Sequence, residues 1–373
     1  MNKDTRSRSV SGAIRYRKKK EASGEWPIKP VLEQVSVTEL SSFRECRRRW
    51  YLGTVRGLVA RRGTKEALWF GDLMHTGLQA YADKGVSAAI KAFRAAYAKG
   101  IEEVARQYGG LWEGVEELYR EYEDLGVGML TNYAIFDEAQ GMKMDTIHLE
   151  QRVWVPIRDL SGQPLPGSPK LTARMDRVVW IDKKEDHYII DYKTGSSLGT
   201  GKALELNDQA TGYEYMHWRL TSELAAGVVF EKLMKVLPDD PRMIRDGKEL
   251  STAKNQNTLP DLYEAKMKEL DLMQSAKHLE CLEALRAQGW DGYFEREITT
   301  RNFEQVLNFE KHLYYIYTDM AEVVKNPEKA YPSPSSMRCP RCQFISVCLA
   351  MEDGSDAESM IENQFDVNLE RRW

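Results

Sequence analysis

The sequence predicts an α/β protein in which a small central mixed sheet is flanked by helices. Segments rich in β-branched and aromatic residues lie in the middle of the chain and indicate strands at 149–157, 171–181, 187–192 and 226–236. Apolar residues at helical spacing dominate two longer stretches, 87–139 and 261–325. Strands grouped between helical segments indicate a sheet covered by helices.

Further helices are expected around these strands. Ser36 is followed three residues later by Glu39, which is the spacing of a capping box, so a helix is expected to begin near Ser36 and to continue toward Trp50. The same periodicity predicts a helix over 70–83 and another near 205–220.

The composition restricts the class of protein. Of 373 residues, 42% are hydrophobic, which is enough for a packed core and excludes wholesale disorder. No apolar run approaches the roughly 18 residues that span a bilayer. The basic N-terminus lacks the apolar stretch of a secretory signal. We therefore expect a soluble, cytoplasmic protein.

Charge is unevenly distributed and suggests the domain limits. Residues 1–62 contain 16 Lys/Arg against 6 Asp/Glu, whereas the rest of the chain contains 37 against 51. We interpret residues 1–35 as a flexible basic arm and 350–373 as an acidic tail. The intervening 36–349 is expected to be one elaborated domain, with its core at about 149–236.

The most informative residues lie on the two central predicted strands. Asp191 and Lys193 are two positions apart, so both side chains point to one face of a strand. A hairpin centred between residues 184 and 185 would pair position 176 with Lys193 and bring Asp176 to the same face. The main-chain carbonyl of Tyr192 is expected to add an oxygen ligand.

Two carboxylates beside a lysine suit a hard cation that acts on a phosphate. Mg²⁺ binds few carboxylate oxygens and keeps positions open for a phosphate. A neighbouring lysine orients water and offsets the charge that develops on phosphorus. The alternative is an exposed hairpin with an ordinary Asp–Lys pair, worth at most about 1 kcal/mol. The apolar residues before Asp191 favour the metal site, because a buried charge there needs a function.

The motifs around these residues resemble those of a known family. Asp176 in "ARMDRV" and 191–195 in "IIDYKTG" are similar to the two core motifs of the PD-(D/E)XK nucleases of the RecB type. Residues 71–75, "GDLMH", resemble that family's upstream histidine motif. Residues 209–213, "QATGY", resemble its Gln-xxx-Tyr helix. Each motif is weak alone, but four in the family's order are specific.

The resemblance implies a fold and a set of roles. It implies a restriction-endonuclease-like core, in which Asp176, Asp191 and His75 bind Mg²⁺ or Mn²⁺. Lys193 would position the attacking water. Gln209 and Tyr213, four residues apart on one helix face, would contact the nucleic acid or brace the site.

The cysteines suggest a second metal centre. Cys339, Cys342 and Cys348 form a Cys-x2-Cys-x5-Cys pattern that lacks a fourth ligand. Cys281 lies among apolar residues and is expected to be a packed thiol. Cys46, in a polar setting, is the preferred fourth ligand. Spacing alone leaves zinc and an iron–sulfur cluster equally acceptable.

The family resemblance distinguishes these two metal centres. A distant cysteine followed by this C-terminal pattern is similar to iron–sulfur nucleases of the superfamily, including the AddB type and the CRISPR-adaptation (Cas-type) exonucleases. It implies a 4Fe-4S cluster that ties 36–62 to 337–349.

The expected activity follows from these motifs. We expect a Mg²⁺- or Mn²⁺-dependent DNA exonuclease that hydrolyses phosphodiesters in recombination, repair or CRISPR-like DNA processing. Its partners would be single-stranded DNA or duplex ends and a separate helicase or recombination protein. The basic residues Arg44 and 47–49 are expected to contact phosphates. Two alternatives remain: a catalytically silent nucleic-acid-binding module built on a four-cysteine metal site, and an RNA nuclease.

Overall fold

The computed structural model describes residues 32–60, 65–108, 113–182, 186–195 and 202–368. The strands are β1 Gln34–Ser36, β2 Leu58–Ala60, β3 Met144–Pro156, β4 Lys170–Ile181, β5 Asp186–Gly195, β6 Gly227–Met234, β7 Met243–Ile244, β8 Glu249–Leu250, β9 Phe294–Thr299 and β10 Phe365–Val367. The helices are α1 Val37–Glu45, α2 Arg47–Trp50, α3 Lys65–Lys84, α4 Val86–Tyr108, α5 Glu113–Gln140, α6 Lys202–Glu205, α7 Asp208–Thr221, α8 Pro260–Glu269, α9 Ala276–Gln288, α10 Phe303–Lys325, α11 Ile345–Asp353 and α12 Ala357–Gln364. A π-helical turn covers Tyr51–Val55, and 3₁₀ turns cover Pro327–Lys329 and Cys339–Arg341.

The central sheet is mixed and has six strands. Its order is β1-β4-β5-β6-β9, with β3 paired to β4 as well. Two pairs of strands are parallel, β1 with β4 and β5 with β6. The other three pairs are antiparallel: β3 with β4, β4 with β5, and β6 with β9. This confirms the predicted α/β class with a small mixed sheet, consistent with a restriction-endonuclease-like fold.

The β4–β5 hairpin has a different register from the one predicted. Position 177 pairs with Ile190, and position 181 pairs with Asp186, so the pairing is shifted by two residues from the expected one. A two-residue shift keeps every side chain on its own face, because the side-chain period of a strand is two. Asp176, Asp191 and Lys193 therefore still share a face, but Asp176 lies opposite Asp191 and not opposite Lys193.

Helices cover both faces of the sheet. On one face, Leu40 of α1, Met216 of α7 and Phe309 of α10 share a core with Val178 and Ile189. On the other face, α3, α4 and α5 contribute a second core around Val179, Ile190 and Val229, made of Phe70, Leu78, Phe93 and Met129. The long predicted helical stretch at 87–139 is thus formed by two helices that pack on the sheet.

The two ends of the described chain lie inside the fold. Leu32 and Val35, which the sequence placed in the basic arm, are buried, and β1 joins the sheet beside β4. Residues 1–31 of that arm lie outside the described residues. The acidic segment after Ala350 folds as α11, α12 and β10, and β10 pairs with β2. In the described part of the chain, no helix combines the length and apolar character that crossing a bilayer demands.

A small satellite unit is formed by β7, β8, α8 and α9. Its core contains Leu250, Tyr263, Met267 and Cys281. Cys281 is fully buried, and its thiol donates to the carbonyl of Ala253 at 3.4 Å. This is the packed thiol that the apolar surroundings of Cys281 predict.

Candidate active site

A cavity of about 800 Å³ opens at the site face of the sheet. Its walls come from β1, the start of α1, α3, β3, β4, β5 and α7. The structure brings all the predicted catalytic residues to this one cavity: His75, Asp176, Asp191, Lys193, Gln209 and Tyr213. Residues that are distant in the sequence thus line a single site.

The cavity exists because β4 and β5 separate. Their pairing ends at Arg177 and Ile190, whereas β1 pairs with β4 only from Lys170 to Thr172. At the opening, the main-chain N–H of Tyr192 donates a 2.9 Å hydrogen bond to Oδ2 of Asp176. The Asp176 carboxylate thereby accepts the hydrogen bond that a main-chain carbonyl of a paired strand would otherwise accept. This bond fixes the carboxylate in the wall of the cavity.

Asp191 is held by three neighbours. The Lys193 ammonium lies 2.6 Å from its Oδ2 atom. Its Oδ1 atom accepts from Nε2 of Gln209 at 2.8 Å and from the hydroxyl of Tyr213 at 3.1 Å. Gln209 also accepts from Lys193 through Oε1 at 2.9 Å. The sequence left two roles open for Gln209 and Tyr213, and these contacts favour bracing over direct contact with nucleic acid.

The start of α7 determines where Gln209 points. Asn207 is the N-cap, and its side chain accepts from the main-chain N–H groups of Gln209 and Ala210. Such a cap fixes the first turn. Tyr213 lies one turn later on the same face, and Nε2 of Gln209 donates to its hydroxyl at 2.7 Å. The Gln-xxx-Tyr spacing is therefore the spacing that places both groups against Asp191.

Three side chains form a candidate metal site. His75, Glu150 and Asp176 each offer a ligand atom, and these atoms all lie within 4.8 Å of one another. His75 reaches the site from α3, with Nδ1 3.3 Å from Oδ1 of Asp176. The buried Nδ1 atom makes no hydrogen bond to a described residue. One ring nitrogen and two carboxylates that converge in this way fit a divalent cation such as Mg²⁺ or Mn²⁺.

Glu150 is the site residue that sequence reasoning missed. It lies on β3 between Leu149 and Gln151, which pair with Arg177 and Met175, so it lies opposite Asp176. Its φ of +50° marks a local irregularity of the strand. The sequence offered one indication of this role: Glu150 is an acidic residue at the start of a predicted strand, and that strand precedes the strand that carries Asp176.

The group differs from the expected ligand set in two respects, because it includes Glu150 and does not include Asp191. Asp191, predicted as a ligand, is outside this three-residue group, and both of its oxygens face Lys193, Gln209 or Tyr213. Its role as a metal ligand stays a prediction. The predicted role of the Tyr192 carbonyl stays a prediction.

The electrostatic environment reflects a crowded acidic site. Burial raises the pKa of Asp191, and Asp176 adds to the effect while Lys193 opposes it. Burial also raises the pKa of Glu150, against the lowering effect of Arg174. Burial alone would lower the pKa of His75, but the nearby Asp176 carboxylate outweighs it and the pKa is raised. A bound cation would oppose the effect of burial on Glu150, because it stabilises the charged carboxylate.

The four predicted cluster cysteines are all half-buried free thiols near the two ends of the described chain. Main-chain N–H groups of Ser333 and Ser335 donate to the sulfurs of Cys46 and Cys339 at 3.5 and 3.2 Å. Burial raises the pKa of Cys342, and the nearby thiols of Cys46 and Cys339 contribute to the rise. Within the described residues, these sulfurs do not form a group as tight as the His75 group.

Cys46 interrupts the predicted basic helix. Its extended backbone, with φ −164° and ψ 109°, separates α1 from α2. The thiol therefore lies at a break between two helices. Cys348 accepts from Nη1 of Arg48 at 3.6 Å, so the α2 and α11 segments meet at the cysteines.

The basic residues near Cys46 are engaged within the chain. All five described arginines of this region form ion pairs with acidic side chains, and the pairs are Arg44–Asp208, Arg47–Asp319, Arg48–Glu352, Arg49–Glu45 and Arg56–Glu358. Three of the partners lie beyond residue 318, so the basic head and the acidic end of the chain are paired. This arrangement does not favour the predicted phosphate contacts for these arginines.

Comparison with known proteins assigns the family. The model of the PD-(D/E)XK nuclease superfamily matches residues 34–349. The chain belongs to the PD-(D/E)XK nuclease superfamily. The match spans all the predicted catalytic residues, from His75 to Tyr213, and the candidate metal site formed by His75, Glu150 and Asp176. The protein is thus a nuclease, an enzyme class that hydrolyses phosphodiesters with divalent metal ions.

Two further comparisons accompany this assignment. No curated protein matches the chain. Among solved structures, the chain is similar to a candidate exonuclease from Eubacterium rectale, with 12% identity, a TM-score of 0.38, and coverage of 84% of this chain and 87% of that one. The assignment depends on the family match and not on this likeness.

Proposed function

We propose that this PD-(D/E)XK nuclease is a Mg²⁺- or Mn²⁺-dependent DNA exonuclease. The observation that carries the proposal is the position of the Lys193 ammonium. It lies 2.6 Å from Asp191, in the cavity that His75 and Asp176 of the candidate metal site also line. An ion pair on an ordinary hairpin would not be accompanied by a converging set of metal ligands. The exonuclease assignment is supported by the resemblance of the four ordered motifs to the RecB type.

Different side chains of the site have different proposed roles in hydrolysis. His75, Glu150 and Asp176 would hold the divalent ion, which, when bound, polarises the phosphoryl group and lowers the pKa of a water ligand. Lys193 has three N–H donors. Two of them face Asp191 and Gln209, and the third has no hydrogen-bond partner among the described residues. This donor would orient the attacking water or contact a phosphate oxygen.

Asp191, Gln209 and Tyr213 keep the lysine in place. Asp191 is 2% exposed and Tyr213 is 4% exposed, so neither side chain has room to rotate. The carboxylate forms an ion pair with Lys193, and Gln209 fixes the direction of the ammonium. The proposed role of this network is positioning of the lysine.

A 4Fe-4S cluster held by Cys46, Cys339, Cys342 and Cys348 is the second part of the proposal. The free thiols, the N–H groups directed at two of the sulfurs, and Arg48 beside a third support it, because hydrogen bonds to sulfur are typical of such sites. The cluster would act as a structural link between the ends of the domain. The three ion pairs to residues beyond 318 join the same segments.

Hydrolysis of defined substrates tests the activity. Labelled linear and circular DNA, single-stranded and duplex, and an RNA strand of the same sequence are incubated with Mg²⁺ or Mn²⁺. The proposal predicts loss of linear DNA from an end, with circular DNA and RNA resistant and Asp191→Ala inactive. Cleavage of RNA alone would favour the RNA nuclease, and intact substrates with both proteins would favour a silent binding module.

A further inference from the structure

We infer that the exposed face of β3 and β4 beside the metal site binds an unpaired stretch of a DNA strand, with Trp154 as the residue that stacks on a base. The inference rests on the proposed nuclease function and adds a substrate-specificity residue to it. It depends on the position of Trp154, on the charges around it, and on their continuity with the catalytic cavity.

Trp154 is exposed where an aromatic ring would ordinarily be buried. Its side chain is 54% exposed, and it is the one tryptophan among the exposed large apolar side chains of the described residues. Its neighbours Val153 and Val155 point to the opposite face and are 8% and 3% exposed. The alternation of the strand therefore directs the ring outward, into the cavity that Asp176 and His75 also line.

The ring belongs to a row of residues that leads away from the metal ligands. Glu150 lies opposite Asp176, Arg152 pairs with Arg174, and two positions further Trp154 pairs with Thr172. Cross-strand partners point to the same face. Trp154 lies four positions after Glu150 along β3, at the far side of Arg152 from the candidate metal site. The row is thus continuous from the proposed metal to the aromatic ring.

Part of the positive charge along the row lacks an ion-pair partner, because Arg174 pairs with Glu150 at 3.0 Å whereas Arg152 does not form such a pair within the described residues. Arg152 is exposed and has no ion-pair partner among the described residues, in contrast to the arginines around Cys46. The Lys170 ammonium lies 4.1 Å from the centroid of the Trp154 ring and covers one of its faces. The other face of the ring and the Arg152 guanidinium remain available to a ligand.

An aromatic ring flanked by cationic side chains fits a single nucleic-acid strand. Successive bases of an unpaired strand stack on aromatic side chains while cationic residues follow its phosphates. In a duplex, the faces of the bases are already stacked on one another and cannot reach Trp154. A strand with its scissile phosphate at the metal site would place a base from a neighbouring nucleotide on the ring. The row therefore selects unpaired DNA.

Binding without divalent metal tests this inference separately from hydrolysis. The probe is a fluorescent single-stranded DNA oligonucleotide, compared with a blunt hairpin duplex, in the presence of a chelator. Trp154→Ala is expected to weaken single-strand binding by about 10-fold, with little change for the duplex. Trp154→Phe keeps a stacking ring and should retain most of the affinity. Tyr315→Ala, at a side chain that is 57% exposed on α10, is the matched control.

The results separate this inference from the nuclease assignment. Equal single-strand affinity of Trp154→Ala and the wild type, equal losses for strand and duplex, or no binding by the wild type would each overturn the stacking role. Melting temperatures verify that the variants fold. A wild type that binds through Trp154 but hydrolyses nothing would contradict the proposed function and leave the binding row intact.

Discussion

The Nε2 atom of Gln209 lies 2.8 Å from Oδ1 of Asp191, so a residue at the start of α7 holds the carboxylate that β5 presents. The same amide accepts from Lys193 at 2.9 Å. One side chain thus fixes both the aspartate and the lysine of the Asp-x-Lys motif. The loss of this amide should affect activity more than stability.

Substitution of Gln209 by Ala is expected to lower kcat by about 10- to 100-fold, the usual effect of removing a group that orients a metal-site residue. The change in KM should be small, since Gln209 contacts the positioning network and not the substrate. Steady-state hydrolysis of labelled single-stranded DNA measures both constants.

Gln288→Ala, at an exposed glutamine that ends α9, is the matched control and should leave both constants unchanged. If Gln209→Ala retained the wild-type kcat at an unchanged melting temperature, the bracing role of Gln209 would be wrong.

The position of Glu150 predicts a role in metal binding. Glu150→Gln removes one negative charge from the His75, Glu150 and Asp176 group, so the Mn²⁺ concentration for half-maximal activity should rise by about 10-fold or more. Mn²⁺ titrations of the activity, and calorimetric titrations of the protein alone, measure the shift. Glu138→Gln, on the exposed end of α5, is the control. Superimposable titration curves for Glu150→Gln and the wild type would exclude it as a ligand.

Loss of one cluster ligand should have two measurable consequences. Cys348→Ser is expected to lose bound iron and visible colour, and to melt at a lower temperature, by about 1–2 °C for each kcal/mol lost. Cys281→Ser changes the packed thiol and should keep the iron. A preparation made without oxygen that is colourless and contains zinc would contradict the iron assignment. An unchanged melting temperature and iron content in Cys348→Ser would remove Cys348 from the ligand set.

The buried side chain of Glu214 on α7 should make the stability of the protein depend on pH. Burial raises the pKa of Glu214 from 4.5 to about 7, and its Oε1 atom has no hydrogen-bond partner among the described residues. The pKa of Glu214 is higher in the folded state than in the unfolded state. The stabilisation of the folded state that comes with its neutral form is therefore fully present below about pH 4.5 and is lost as the pH rises through 7.

Glu214→Gln, which stays neutral, should therefore unfold at higher urea concentration than the wild type at pH 8, with a gain of up to about 3 kcal/mol. The difference in stability between the two proteins should disappear at about pH 4.5. Exposed Glu223→Gln serves as the control. Equal gains at both pH values would show that the effect is not due to ionisation of Glu214.

Much of the site follows from the sequence because its motifs are local. The period of a strand places Asp191 and Lys193 together, and the period of a helix places Gln209 and Tyr213 together, whatever the rest of the fold does. For the same reason, a two-residue error in the hairpin register left Asp176 on the correct face.

Features that depend on distant pairing were not predictable from the sequence. The role of Glu150 requires the β3–β4 register, which no local pattern encodes. Strand β9 was missed because its charged residues look solvent-exposed, although Arg296 bonds to buried Glu231 and two further acids pair with Lys232. The arginines around Cys46 look free in the sequence, and the acidic partners of Arg47 and Arg48 are hundreds of residues away.

The most direct test of the account is the initial rate at which wild type and Lys193→Ala release nucleotides from end-labelled linear single-stranded DNA with Mn²⁺. Lys193→Met, which keeps the length of the side chain, controls for packing. The account predicts hydrolysis by the wild type and a loss of at least about 100-fold in both variants, as for removal of a group that stabilises transition-state charge, with unchanged melting temperatures. Equal rates for the wild type and the lysine variants, or no hydrolysis by the wild type, would contradict it.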